Sequence, residues 1–212
     1  MQNNRPRTAN GRANDVRIRA FSASRTDVST RAPDLKVRGT ALSYALSMSE
    51  EAWLRGPVEG IVPVLQPAAH ALIQANDDVQ ALAPGLTSDM LWKETGAATA
   101  GFHLLHLAGA LDRLFTYARG ELLTDTQKAA ARAEAQPHPE LTGAMLAAMV
   151  SAAVDRALAQ LRATPSETVF DHRGIGRAQL PSTVLGCLFH GAEHSTRHAG
   201  QFITTVKMAA AR

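Results

Sequence analysis

Three histidines, His190, His194 and His198, stand four residues apart in a stretch near the C-terminus that otherwise reads as an apolar helix. On an α-helix, residues i and i+4 lie one turn apart on the same face. Two imidazoles so placed reach one small ion, as the paired histidines of a zinc-protease helix do. The run therefore reads as one helical wall of an assembly that carries a divalent metal. It does not by itself name a reaction.

Three further stretches have the same helical texture. A first helix is expected over Pro57–Gln80, with Ile61, Leu65, Ala68, Leu72, Ile73 and Val79 as its apolar stripe. Pro63 and Pro67 leave its start open by a turn or more. Pro84-Gly85 closes it, and Thr87-Ser88-Asp89 opens a loop or turn carrying Trp92. A second helix is expected over Ala98–Gly120, then a polar linker with a short helix at Thr126–Glu134. A third covers Leu141–Arg162, with Leu146, Met149, Val150, Val154, Leu158 and Leu161 on one face. Thr164–Pro181 reads as a loop or small hairpin, and the fourth helix runs from about Pro181-Ser182-Thr183 to Met208. Four amphipathic helices of this length predict an all-α fold, a four-helix bundle, whose core is where such proteins build metal sites.

Charge divides the chain. Residues 1–47 carry nine basic and three acidic groups, a net of +6, while residues 48–212 carry 13 and 16, a net of −3. The N-terminal segment has no sustained apolar periodicity, so it is expected as a disordered basic extension. A transit peptide and a basic arm for nucleic acid or membrane are the other readings of it, and Met48 is a candidate start. Residues 48–212 are expected as the folded domain, with no basic footprint for nucleic acid. The single Cys187 excludes an intramolecular disulfide framework and a cysteine-based zinc finger. No apolar run approaches the length needed to cross a bilayer, since Ala144–Val154 is broken by Ser151 and stops at Asp155. A cytoplasmic protein is expected.

A catalytic zinc site takes about three protein ligands and keeps one position for water or substrate. His194 and His198 offer two, and the second helix offers His103 and His106 for the third. With His106 at the origin of the helical wheel, Ala110, Arg113 and Tyr117 follow on nearly the same face and His103 lies one turn earlier. Each i+4 step rotates by about 40°, which displaces His190 by about 80° from His198, so it suits a place behind the ligands or in the pocket wall better than that of a fourth ligand. Plain alternatives stand beside these roles. Helical histidines are often packed or hydrogen-bonded, Asp112, Arg113 and Arg119 suit a solvated face, and Cys187 suits a small buried hydrophobe. Glu193 reads either as an acceptor that orients a ligand or as an exposed acid. Arg173, Gly174, Gly176 and Arg177 either line an anion pocket at the mouth of the fourth helix or only shape a hairpin.

Gly101-Phe102-His103-Leu104-Leu105-His106-Leu107-Ala108-Gly109-Ala110-Leu111-Asp112-Arg113 and Ala192-Glu193-His194-Ser195-Thr196-Arg197-His198-Ala199-Gly200-Gln201 resemble the DinB (damage-inducible) superfamily. The order agrees: one histidine in the second helix, a long gap, then His-x-x-x-His followed by Gly-Gln. The likeness spans about Glu51 to Lys207. It implies a four-helix bundle binding one divalent ion, zinc or nickel, through the positions of His106, His194 and His198. Family members include thiol-dependent S-transferases, which join a low-molecular-weight thiol to an electrophile, and a maleylpyruvate isomerase. Fold membership licenses the metal site better than the substrate.

The resulting expectation is a metal-dependent enzyme of S-transferase type acting on a small molecule. Arg113 would bind an acidic group of the thiol, and Tyr117 or His103 would transfer protons. A non-catalytic metal-binding or stress-response protein and a metal-dependent hydrolase are the alternatives. Exposed faces of the first and third helices are candidates for a homodimer seam.

Overall fold

The computed structural model describes residues 50–211. The expected disordered extension, residues 1–47, lies outside the described residues. Within them the chain is mostly helical: α1 (Gln66–Leu82), α2 (Ser88–Trp92), α3 (Ala100–Ala118), α4 (Asp125–Ala133), α5 (Gly143–Ala163) and α6 (Val184–Ala210). A small antiparallel hairpin, β1 (His172–Ile175) and β2 (Leu180–Thr183), pairs His172 with Thr183 and Ile175 with Leu180. It delivers the chain directly into α6.

Five of the six helices begin on a threonine whose hydroxyl accepts from a backbone N–H of the first turn: Thr87, Thr99, Thr124, Thr142 and Thr183. Such caps satisfy donors that a helix start otherwise leaves bare. The exception is α1. Its expected start at Pro57 is corrected to Gln66, behind a 3₁₀ turn at Pro63–Leu65. Pro63 and Pro67 lack the N–H that earlier helical turns would need, and Gly60 is left-handed at φ +76°. The Gln66 side chain anchors this entry instead, accepting from Val58 N (2.7 Å) and donating to Val58 O (2.9 Å) and Ile61 O (2.8 Å). Trp92, expected in a loop or turn, closes the short helix α2.

The long helices pack in the cyclic order α1–α6–α3–α5, each on two neighbours. Leu65, Leu72 and Val79, then Leu104, Leu107 and Leu111, Leu146, Val150 and Leu161, and Leu188, Phe202 and Val206 fill the space between them. The largest interface joins α3 and α6. Gly191 keeps it close: a Cβ there would press on Phe115 (2.9 Å) and Leu111 (3.3 Å). One expectation about membranes needs correction. By length and composition α5 is apolar enough to cross a bilayer, because its charges are few among many alanines. Its Leu146, Ala147, Val150 and Val154 are buried, as in a core helix.

Candidate metal centre

The α6 histidines follow the rotation of their helix from core to surface. His198 is buried, His194 half-buried, and His190 exposed, where it meets Glu193 at 3.3 Å. Helix α3 presents a matching pair. His103 is buried with its Nδ1 3.1 Å from His198 Nδ1, and His106 sits further out with its Nε2 3.0 Å from His194 Nε2. The four rings form an inner pair and an outer pair. Ring centroids lie 4.6 Å apart for His106–His198 and 4.5 Å for His194–His198. Phe102 closes one side, stacked on His106 at 5.2 Å and edge-on to His103 at 5.5 Å.

Among the described residues, His106, His194 and His198 bring one ligand atom each within 4.8 Å of one another, a group able to hold a metal ion. The donor chemistry fits. Burial, then the neighbouring His106 and the surrounding cationic groups, lowers the imidazole of His194 and takes that of His198 to about 4. Both rings are therefore neutral near pH 7, the form that ligates a metal. Burial and His106 also lower His103. His194 Nδ1 is buried with no hydrogen-bond partner. His198 turns its Nδ1 to His103, which leaves Nε2 as its second donor atom.

Glu134 adjoins this group and escapes the sequence reading. It caps the C-terminus of α4 and is buried, with Oε2 2.8 Å from His106 Nδ1. Arg113 donates to both of its oxygens, Nη1 to Oε1 at 2.5 Å and Nη2 to Oε2 at 3.2 Å. Burial alone would raise its carboxyl pKa, but the hydrogen bonds from His106 and Arg113 and their charge outweigh that and hold it below the ordinary carboxylate range. A carboxylate only accepts, so His106 Nδ1 carries the hydrogen of this contact, and Nε2 is the ring atom that faces His194. A sequence signal existed: an acid at a helix C-terminus opposes the helix dipole.

The chain matches the DinB superfamily model over residues 35–202. It belongs to the DinB superfamily. The match covers most of the span Glu51–Lys207 on which the resemblance rests, and begins earlier, within the segment of basic character. No curated protein matches the chain.

The other singled-out residues lie in this DinB chain as follows. Arg113, expected to meet an acidic group of a thiol, is held by the internal acid Glu134. Tyr117 is eleven residues beyond His106 on α3, about 16 Å along the axis. It lines a separate groove with Lys128, Arg132 and Arg177. Arg119 joins Glu121 and Gln160. Arg173 donates to Ala118 O (2.8 Å) at the end of α3, tying down the hairpin. Glu193 engages Arg197 and His190. Cys187 is buried, its Sγ 3.9 Å from the Ser182 hydroxyl.

Proposed function

We propose that this DinB member is a divalent-metal-dependent enzyme of the thiol S-transferase type, built on the superfamily's four-helix bundle. The observation that carries it is the convergence of His106, His194 and His198 from two helices to within 4.8 Å of one another, with burial keeping His194 and His198 neutral. When bound, zinc or nickel supplies Lewis acidity that holds a low-molecular-weight thiol as its thiolate, the nucleophilic form, near neutral pH. Three protein ligands leave room for such a partner, whereas a closed structural site uses four.

The chain's own residues orient and isolate this centre. Glu134 orients His106, and Arg113 steadies Glu134. His103 meets His198 Nδ1 and lies where a proton can be passed inward from the ligand ring. Phe102 excludes water from the face it covers. With Arg113 engaged by Glu134 and Tyr117 about 16 Å along α3, proton transfer is assigned to His103 rather than Tyr117. The same reading takes a small electrophile as substrate, a cytoplasmic setting, and a homodimer as the assembly.

The test is a panel of low-molecular-weight thiols offered with a reactive electrophile to the metal-loaded full chain. Turnover that needs both metal and thiol, and is lost in His194→Ala, is the expected result. Metal-loaded protein that turns over no thiol overturns the transferase assignment in favour of a binding role, and product formed without thiol identifies a hydrolase instead.

A further inference from the structure

Glu134 is the one acid buried among the described residues. It comes from α4, a helix with no buried residue between Asp125 and Ala133. Burying a carboxylate is costly unless it is paired and hydrogen-bonded, and a C-terminal position in a helix adds to that cost. The Arg113 fork and His106 Nδ1 offset it. Helix α3 is cut away to admit the group: a Cβ on Gly109 would collide with Glu134 Oε1 and approach Arg113 Nη1 to 2.8 Å.

The rest of α4 is lightly held. At its N-terminal end Gln127 Nε2 donates to Asp112 Oδ2 (2.7 Å) and to Thr116 Oγ1 (2.8 Å), while Lys128 pairs with the exposed Asp125. Helix α4 therefore docks on α3 by two polar anchors, one of which is hydrogen-bonded to a metal-ligating imidazole.

We propose that Glu134 is a positioning residue that couples the docking of α4 to metal occupancy of the three-histidine group, with Gly109 as the gap that makes this contact possible. The inference rests on the metal-binding reading above. Glu134 selects the His106 tautomer with hydrogen on Nδ1 and turns Nε2 toward His194. A carboxylate that holds a ligand imidazole in this way raises metal affinity. Coupling is reciprocal: a cation that binds this His106 state favours the docked α4, and a docked α4 favours the cation.

The experiment titrates Zn²⁺ against a competing chelator into the full chain, Glu134→Gln and Gly109→Ala, and follows amide hydrogen exchange in α4 with and without the ion. Gly109→Ala is the discriminating variant. It keeps every ligand and the carboxylate chemically intact, and alanine favours a helix over glycine, while its Cβ pushes Glu134 off His106. A Glu134 that only anchors α4 leaves zinc affinity unmoved in that variant while α4 loosens. The expected result is a loss of about 10- to 100-fold in zinc affinity in both variants, with helical circular dichroism retained. Zinc slows α4 exchange in the parent and fails to do so in the variants. Unchanged affinity in both variants, with the parent binding zinc, overturns the coupling alone. A parent that takes up no zinc overturns the metal reading and the coupling with it.

Discussion

His190, His194 and His198 are chemically identical and evenly spaced, yet each meets a different environment because the i+4 step advances about 40° around the helix. His198 lies against α3, His194 borders the seam, and His190 reaches solvent beside Glu193. Cys187 shows the opposite outcome, a reactive residue type made inert. Burial raises its thiol above the ordinary value, outweighing the Ser182 hydroxyl and the charge of Arg173. The folded protein is therefore expected to react slowly with iodoacetamide at neutral pH and rapidly once unfolded. Alkylation of the native protein at the rate of a free thiol contradicts this. Because the thiol ionises at higher pH when folded than when unfolded, its contribution to stability is full below the unfolded pKa and fades as pH climbs past it. Residue spacing makes the His194–His198 pair readable in the sequence and leaves His103 and His106 side by side, so that the resemblance to the DinB superfamily is what singles out His106. Glu134 is not readable in that way, since its role depends on where α4 docks, and no repeat within α4 encodes that.

At the scale of elements, the helix starts are legible where a side chain supplies the missing acceptor. Threonines at 99, 142 and 183 open α3, α5 and α6 within about two residues of the expected points. The start of α1 is not legible, because the apolar stripe continues through Ile61 and Leu65, while the prolines and the left-handed Gly60 decide the backbone. Thr183 is the cap with most to lose, since α6 carries two candidate ligands. Thr183→Ala is expected to cost about 1 kcal/mol of stability, read by urea denaturation. A midpoint equal to that of the parent contradicts the capping role. Gly143, in the first turn of α5, is a second sensitive point. A Cβ there would run into the backbone carbonyl of Ala83, which, unlike a flexible side chain, has no easy way to yield. Gly143→Ala is expected to destabilise by more than Thr183→Ala in the same denaturation series, and equal stability of Gly143→Ala and parent contradicts that contact.

For the whole molecule, the histidines, the helix caps and the packing all point to one construction. Helices α3 and α6 share the widest interface of the domain, and the four imidazoles line that interface. The fold class follows from helical periodicity, and the histidine group able to hold an ion follows from spacing on α6 together with the family resemblance that marks His106 on α3. What sequence periodicity misses are the contacts between elements: Glu134 under His106, Phe102 over it, and Arg113 turned inward to an internal acid. Those contacts determine which residues surround the candidate centre, so its chemistry is less legible than its histidines. Metal content measures the account most directly: mass spectrometry on the purified full chain, incubated with zinc or nickel, beside His106→Ala, His194→Ala and His198→Ala. The account predicts about one ion per chain in the parent, as for a three-ligand site, and nearly none in each variant. A parent that binds no ion, or variants that keep theirs, contradicts it.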